Sequence, residues 1–416
     1  MSEEKQNSTP ELPRKIIFIW NYLEWGGAQV YLFGLMKEAQ KFCQVAALLP
    51  SGSDRQLLEY LNNIKVPYKF FDAHTDLQPA TTLKRKLERH WNKVLCEIII
   101  YKRLKKIDLT KSVVHLDFPP WQSLTFLWWL SLKTKVFVTI HNAMPEVPKW
   151  RQLLWRAKFG VLARTKNFNI FTSNENARDS LRQYVSGNFL EKITVTSTNV
   201  NPDEIDRALQ FDLKKIDICR KYDLPEDKFM VFCVGQFIDR KGRWVFLEAA
   251  RSLIEKNKDI HFVWISNSKL NRDELKKIES YKLDRNFTLV DSEKTGGEHV
   301  DLFKLLRIAD VFTLPSYIEG LPISLLEAMA LGIPSVSTDV NAIPEAVKHL
   351  ETGLLIETGD AGGLVNAIEK LKSDRNLRKS LSENGRDFVL RNFNEAIVAK
   401  IAFAAYKKSF SATQNK

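Results

Sequence analysis

The 416-residue sequence lacks several features that would place it in a specialised class of protein. Its four cysteines form no CxxC pair, which argues against a disulfide framework and a zinc site and indicates a reducing compartment. The N-terminus is polar and acidic rather than basic and then apolar, so we expect no signal peptide. No run of about 18 apolar residues occurs, and we therefore predict no membrane-spanning helix.

The second half of the chain carries no excess of positive charge, whereas the first half carries a large excess. Residues 1–200 contain 29 Lys and Arg against 17 Asp and Glu, whereas residues 201–416 contain 33 of each. Within the first half, residues 81–170 contain 18 basic and 5 acidic residues, a net charge of +13. Such an asymmetry indicates that one half of the protein meets an anionic partner.

Short apolar runs alternate with helical patterns along the whole chain. Continuous apolar strands separated by helices predict parallel sheets that are covered on both faces. Two such series, joined by the polar, Pro-broken stretch 196–204, predict an α/β protein with two Rossmann-like doubly wound domains. In folds of this kind ligands bind at the carboxyl ends of the strands, so we expect a central cleft that both domains face.

The stretch EGLPISLLEAMALGIP, residues 319–334, carries two carboxylates with seven residues between them. Pro322 suits the first position of a helix over residues 322–331, which Gly332 would cap. The N-terminus of such a helix attracts phosphate, and Glu327 would lie about 7.5 Å along its axis, within reach of the ribose of a bound nucleotide. Glu319 would contact a group beyond the diphosphate. Two ordinary surface carboxylates are the alternative interpretation.

Residues 315–347 resemble the E-x7-E signature of retaining glycosyltransferases of family 4, which have the GT-B fold. Further segments resemble the family in the same order: EWGGAQVYL (24–32), FVTIHNA (137–143), KITVTSTNVN (192–201) and VFCVGQFIDRKG (231–242). The resemblance implies an acceptor-binding N-terminal domain over 1–199, on which a C-terminal helix, 394–416, packs back. It also implies a nucleotide-sugar-binding C-terminal domain over 200–393.

The resemblance implies roles for thirteen residues of this sequence. The implied catalytic residues are His141, Glu319, Arg240 and Lys241, and the implied donor-binding residues are Gly26, Gly27, Gln236, Gly320, Leu321, Pro322, Ile323, Ser324 and Glu327. Gln236 stands where many family members have Arg, so one positive charge near the phosphates is lost. The lost charge predicts a lower affinity for the donor.

The residue types alone also allow purely structural interpretations. Arg240 can bind a diphosphate with two parallel hydrogen bonds from its guanidinium, and Lys241 can neutralise it with its ammonium charge. Alternatively, both are ordinary surface cations. The Gly26–Gly27 pair lets the backbone approach a ligand, although such pairs usually mark a turn. His141 ends a predicted strand and can stabilise developing charge beside a sugar, although a lone histidine is often structural.

No Asp-x-Asp pair occurs in the sequence. Because enzymes that hold a diphosphate through a divalent cation need clustered carboxylates, we expect neither a metal requirement nor any other cofactor.

Two stretches of the basic region predict amphipathic helices. Residues 81–106 carry nine Lys and Arg together with a helical period of apolar residues, and residues 149–166 repeat this pattern with two tryptophans. Basic helices with Trp suit an anionic membrane surface. The alternative is that both helices pack inward and expose solvated basic faces. No motif for nucleic-acid recognition is present, and we expect no nucleic-acid partner.

The expected function is therefore transfer of a sugar, with retention, from a nucleotide-diphosphate-sugar to a hydroxyl acceptor. A lipid-linked glycan or polysaccharide precursor is the acceptor considered, at the inner, cytoplasmic face of the membrane. Two alternatives remain open. One is a non-catalytic nucleotide-sugar-binding protein or membrane scaffold of the same fold, and the other is an epimerase or phosphorylase on that fold. The base, the sugar, the acceptor and the oligomeric state are not encoded in any motif.

Overall fold

The computed structural model describes residues 12–23, 26–75, 82–117, 122–256, 259–283, 285–296 and 299–411. The chain divides into two compact units. Unit 1 comprises the residues up to Ser197 together with those from Ala396 onward, and unit 2 comprises Thr198–Glu395. These limits lie two residues from the domain limits expected at 199 and at 394.

Unit 1 is built on a sheet of seven described strands that are all parallel, in the order β3-β2-β1-β4-β5-β6-β7. Their bounds are β1 Lys15–Ile19, β2 Gln44–Pro50, β3 Tyr68–Phe71, β4 Ser112–Leu116, β5 Lys135–Ile140, β6 Phe168–Thr172 and β7 Thr194–Val195. All residues of β4 and β5 are buried, as expected for parallel strands that helices cover on both faces.

The helices of unit 1 follow the strands in alternation. They are α1 Gly27–Gln40, α2 Arg55–Asn63, α3 Leu83–Leu104, α4 Leu124–Lys133, α5 Lys149–Arg164, α6 Glu175–Ser180 and α7 Gly187–Leu190, with a 3-10 turn at Leu181–Gln183. Helix α1 begins at Gly27.

Unit 2 repeats this architecture with a sheet of six described parallel strands, in the order β10-β9-β8-β11-β12-β13. Their bounds are β8 Phe229–Val234, β9 Ile260–Ser266, β10 Phe287–Asp291, β11 Val311–Leu314, β12 Ser335–Thr338 and β13 Leu354–Ile356. The strand order reverses between β1 and β4 in unit 1 and between β8 and β11 in unit 2. Ligands bind beside such points in doubly wound sheets.

The helices of unit 2 cover both faces of its sheet. They are α8 Pro202–Gln210, α9 Lys215–Tyr222, α10 Arg243–Lys256, α11 Arg272–Ser280, α12 His299–Leu306, α13 Ile323–Ala330, α14 Ile343–Ala346, α15 Ala361–Ser373 and α16 Arg375–Asn392, with 3-10 turns at Asp239–Lys241 and Ser292–Lys294. The prediction of two parallel-sheet, Rossmann-like domains is confirmed.

The last described helix, α17 (Glu395–Ser411), belongs to unit 1 from its second residue onward. Its side chains Phe403, Tyr406 and Phe410 are buried in the core of unit 1. The hydroxyl of Tyr406 lies 2.5 Å from Nδ1 of His115 in β4, and the other ring nitrogen of His115 lies 2.6 Å from the hydroxyl of Thr139 in β5. The C-terminal residues therefore complete the core of the first unit.

Within the described ranges, no helix combines the length and the apolar character needed to cross a bilayer.

Candidate functional site

Two loops of unit 2 meet where its strand order reverses. One follows β8 and the other follows β11. The backbone N–H of Tyr317 donates to the carbonyl of Arg240 at 2.8 Å, and the Arg240 guanidinium donates to the carbonyl of Ile318 at 3.0 Å. Gly242 has a φ of +74°, and a Cβ there would lie 1.8 Å from the carbonyl oxygen of Pro315. Only glycine therefore allows the two loops to approach so closely.

This approach brings three of the predicted site residues together. Lys241 Nζ lies 2.5 Å from Glu319 Oε1, and Arg240 Nη1 lies 3.5 Å from Glu319 Oε2. The Ser316 hydroxyl donates to Glu319 Oε1 at 2.7 Å, and the Glu319 backbone N–H donates to Asn341 at 3.2 Å. Glu319 is only 6% exposed. The group is thus a buried carboxylate with two cations and carries a net positive charge, which suits an anionic ligand.

Helix α13 begins directly after this cluster. Pro322 occupies the N-cap with φ −74° and ψ 124°, so its prediction as the first helical residue is wrong by one position. An extended ψ at the N-cap turns the chain into the helix. No described side chain caps this N-terminus, while the Ser324 hydroxyl donates to the Val234 carbonyl at the end of β8. Gly332 has a φ of +78°, as expected after a helix.

The remaining predicted residues of this segment surround the start of α13. Leu321 and Pro322 are buried, and Gly320, Ile323 and Ser324 are half-buried. Together they place the first-turn backbone of α13 beside the Glu319 cluster, where the helix dipole adds to the positive field.

Glu327 lies in the second turn of α13 and is buried. Its Oε1 lies 3.3 Å from Nε2 of His299, the first residue of α12, and Nδ1 of the same ring lies 3.1 Å from Oε2 of Glu204 in α8. Burial raises the pKa of the Glu327 carboxyl, while His299 opposes that rise. Burial alone would lower the pKa of His299, but Glu327 and the hydrogen bond with Glu204 raise it above its usual value.

Gln236 follows the carboxyl end of β8 and is exposed. The preceding Gly235 has a φ of +151°, and the nearest atoms to a Cβ at that position would belong to the Lys241 side chain. Gln236 therefore lies in the same loop as the two cations, whose side chains donate hydrogen bonds to Ile318 and Glu319.

The glycine pair of unit 1 lies at the start of α1. Gly26 is the N-cap, in extended conformation, and Gly27 is the first helical residue. Residues 24 and 25 of the segment 24–32 lie outside the described residues. The carbonyl of Gly26 accepts the backbone N–H of Gln29 at 3.1 Å.

His141 directly follows β5 and contacts an acidic partner that sequence analysis missed. Its Nε2 lies 2.7 Å from Oδ1 of Asp117, which follows β4, and the Tyr22 hydroxyl donates to the other carboxylate oxygen. The His141 ring also packs edge-on against Tyr31. Burial would raise the pKa of the Asp117 carboxyl, but His141 and the two hydrogen bonds lower it below its usual value. Asp117 thus remains an anion that orients the imidazole.

Some of these partners had a signal in the sequence and others had none. Asp117 ends the run SVVHLD just as His141 ends VFVTIH, and neighbouring parallel strands bring their carboxyl ends together. His299 and Glu204 are separated by 95 residues and follow no motif. Among the described residues no group of three or more His, Cys, Asp or Glu is placed to hold a metal ion.

Comparison with known families places the sequence similarity mainly in unit 2. Residues 214–388 match the family model described as "Glycosyl transferases group 1". The UDP-Gal:alpha-D-GlcNAc-diphosphoundecaprenol alpha-1,3-galactosyltransferase of Escherichia coli is 32% identical over 206 residues, which cover 49% of this chain and 51% of the relative. The chain thus spans about half the length of such curated relatives.

Structural similarity extends over both units. A glycosyltransferase from Rickettsia africae superposes with a TM-score of 0.74 at 18% identity, covering 97% of this chain and 99% of the other. Anabaena Alr3699/HepE, whose structure contains UDP, superposes with a TM-score of 0.71 at 13% identity, covering 95% of this chain and 100% of the other. At these identities the likeness establishes the fold, which is that of GT-B glycosyltransferases with two Rossmann-like domains.

Proposed function

We propose that the protein is a glycosyltransferase that takes a sugar from a nucleotide-diphosphate-sugar bound to unit 2. The observation that carries this proposal is the convergence of Glu319, Arg240 and Lys241 at the N-terminus of α13. Two cations and a helix N-terminus neutralise a diphosphate, and a buried carboxylate can accept hydrogen bonds from a sugar. The match to glycosyltransferase sequences over residues 214–388 supports the same assignment.

Glu327 would then accept hydrogen bonds from the ribose. It lies four residues beyond Ile323, the first residue of α13, and this rise of about 6 Å separates a diphosphate at the helix N-terminus from the ribose hydroxyls. A carboxylate accepts two hydrogen bonds side by side and therefore suits a vicinal diol. Gly320, Leu321, Pro322, Ile323 and Ser324 would shape the floor beneath the phosphates.

The proposed reaction proceeds with retention of configuration. The acceptor hydroxyl attacks the face of the sugar that the nucleotide leaves, and an oxygen of the leaving diphosphate takes the hydroxyl proton. Lys241 and Arg240 stabilise the charge that develops on that diphosphate, so the reaction needs neither a protein nucleophile nor a divalent cation. Family 4 of the retaining enzymes is the group whose E-x7-E pattern residues 319–327 resemble.

Unit 1 would bind the acceptor, and His141 would hydrogen-bond a sugar. The Asp117 carboxylate fixes the orientation of the imidazole through its contact with Nε2. A fixed imidazole can hydrogen-bond a sugar hydroxyl while charge develops at the reacting carbon. Gly26 and Gly27 at the start of α1 would allow the backbone to approach a ligand closely.

The proposed acceptor is a lipid-linked glycan or polysaccharide precursor, reached by peripheral contact of unit 1 with an anionic membrane surface from the cytoplasmic side. The E. coli relative acts, by its name, on a diphosphoundecaprenol-linked sugar. Residues 82–91, which are the N-cap and the first nine residues of α3, are exposed except for a half-buried Arg89. They therefore do not pack inward, as the alternative of an inward-packing helix required.

Large apolar side chains accompany the basic residues at this surface. Six of them are between 61 and 73% exposed: Leu83, Leu87 and Trp91 on α3, and Trp150, Leu153 and Leu154 on α5. The C-terminal part of α3 does bury Cys96, Ile100 and Leu104. Basic helices that also expose Trp and Leu bind the interface of anionic bilayers.

A thermal-shift screen of UDP-, GDP- and ADP-sugars tests the donor assignment, because a ligand that binds only the folded protein raises the Tm. We expect one class to raise Tm and to be hydrolysed slowly in the absence of acceptor, whereas Lys241→Ala loses the hydrolysis. Binding without hydrolysis or transfer would favour a non-catalytic nucleotide-sugar-binding protein. Isomerised nucleotide sugar would instead indicate an epimerase.

A further inference from the structure

The ring of His299 lies between two carboxylates that come from two other helices. Nε2 faces Glu327 Oε1 in α13 at 3.3 Å, and Nδ1 faces Glu204 Oε2 in α8 at 3.1 Å. The side chains of Glu327, Glu204 and His299 are 5, 14 and 22% exposed, so water screens these interactions only weakly. No motif in the sequence groups these three residues.

The chemistry of the ring limits the ways in which it can serve both partners. A neutral imidazole donates from one nitrogen only, and its other nitrogen would then face a carboxylate lone pair. The imidazolium donates from both nitrogens and balances the charge of one carboxylate. Leaving a buried carboxylate without such a partner is costly.

We propose that His299 is a positioning residue that holds the side chain of Glu327 in one orientation, with Glu204 anchoring the far side of the ring. The inference rests on the proposed function, in which Glu327 accepts hydrogen bonds from the ribose. The contact with His299 engages Oε1 at 3.3 Å, and it leaves Oε2 and the second lone pair of Oε1 for the ribose hydroxyls. His299 itself need not touch the nucleotide.

A purely architectural role for His299 makes a different prediction. Its ring also packs against Phe303 one turn further along α12, with ring centroids 4.6 Å apart. If the histidine only joined α12 to α8 and α13, its loss would lower the stability of the protein and weaken the binding of all nucleotides alike. A positioning role instead changes how strongly the protein distinguishes ribose from deoxyribose.

The experiment measures the ratio of the Kd values of 2′-deoxy-UDP and UDP by calorimetry, or of the corresponding GDP or ADP pair if that nucleotide gives the largest thermal shift. We expect the wild-type protein to prefer the ribonucleotide by about tenfold, the size of one hydrogen bond to a charged group. Glu327→Ala should bring the ratio close to one, and His299→Gln should lower it at least about threefold.

Two further variants keep the test decisive. Glu204→Gln leaves His299 in place and removes only the negative charge of the anchor, so it should lower the ratio to an intermediate value even if His299→Gln fails to fold. His261→Gln removes another buried histidine of unit 2, which contacts Thr288 in the neighbouring strand, and should leave the ratio unchanged.

A wild-type ratio in both His299→Gln and Glu204→Gln, with a lowered ratio in Glu327→Ala, would overturn the positioning role and leave the proposed function intact. Three outcomes would contradict the proposed nucleotide site itself. They are a ratio in Glu327→Ala equal to that of the wild-type protein, a ratio near one in the wild-type protein, and the absence of binding by all three nucleotides. The positioning role would then be overturned together with that site.

Discussion

In both units the ends of two neighbouring strands bring a buried carboxylate and a basic group together. In unit 1 these are Asp117 and His141, and in unit 2 they are Glu319 and Lys241. The difference lies in where the remaining positive charge is placed. In unit 2 a second cation, Arg240, joins the cluster, whereas the large excess of unit 1 lies on and around its helices α3 and α5.

Under the proposed function, the two units would meet anionic groups at different places. The cluster of unit 2 is small, partly buried and built by close packing of two loops, which suits a compact diphosphate. The cations of unit 1 are numerous, exposed and interspersed with exposed Trp and Leu, which suits an extended surface such as a bilayer. Net charge alone would not separate these two roles.

The largest expected effect removes charge from the surface of unit 1. Replacing Lys84, Arg85, Lys86 and Arg89 with Gln should weaken binding to anionic vesicles by about 4 kcal/mol, because each cation near the surface contributes about 1 kcal/mol. Sedimentation with vesicles at low salt measures it. Hydrolysis of a soluble donor should be unchanged, while transfer to a lipid-linked acceptor should fall.

The matched control neutralises four exposed cations of unit 2, namely Lys269, Arg272, Lys276 and Lys379. If this control variant loses vesicle binding to the same extent, or if the wild-type protein does not sediment with vesicles at all, unit 1 has no special affinity for membranes.

Removing a cation from the cluster of unit 2 should affect chemistry rather than membrane binding. Lys241→Ala should raise the activation free energy of donor turnover by about 3 kcal/mol and so lower the rate roughly a hundredfold. The reason is that the ammonium stabilises charge that develops on the leaving diphosphate. Binding of the free nucleoside, measured by calorimetry, should change little. Lys379→Ala serves as the control, and equal losses for nucleoside and donor would make Lys241 a structural residue.

Acid should destabilise unit 1 through His115, which burial keeps neutral by lowering its pKa to about 3. The unfolded chain binds a proton below pH 6.5 that the folded chain does not, so stability is full above pH 6.5 and is lost as the pH falls towards 3. The loss is about 1.4 kcal/mol per pH unit.

The His115→Gln variant should therefore lose about 2 kcal/mol less than the wild-type protein when the pH falls from 6.5 to 5. Urea unfolding at the two pH values measures this difference, and each protein is its own reference for the cost of the substitution. An identical pH dependence in the two proteins would show that protonation of His115 does not contribute to the loss of stability of unit 1 in acid.

The smallest expected effect adds a charge to unit 2. Gln236→Arg should tighten the binding of a nucleoside diphosphate by about 1 kcal/mol, the upper range for an exposed ion pair, and this gain should decline with added salt. Titration calorimetry with nucleoside and nucleoside diphosphate separates the two contributions. An equal gain for the uncharged nucleoside would place residue 236 away from the phosphates.

The fold could be predicted from the sequence because parallel strands buried on both faces appear as continuous apolar runs, such as KVFVTI in β5. The structure brings Arg240, Lys241 and Glu319 together, and the prediction that they share one ligand stays a prediction. Their roles remain predictions, as do those of His141, Gln236 and Glu327.

Other features escaped sequence analysis for physical reasons. His299 reaches Glu327 from a different helix, and neither its spacing nor its neighbours in the chain announce that contact. The N-cap position of Pro322 differs by one residue from the predicted helix start, because capping rather than periodicity decides such a boundary. The exposure of the first part of α3 could not follow from its apolar period, which is typical of an inward-facing helix.

The return of the chain to unit 1 has a consequence for protein synthesis. The core of unit 1 includes Tyr406 and Phe410, which emerge from the ribosome after every residue of unit 2. Unit 2, although second in the sequence, can therefore complete its fold first, whereas the nascent unit 1 must keep the place of α17 open. This order contrasts with the usual N-to-C order of domain folding.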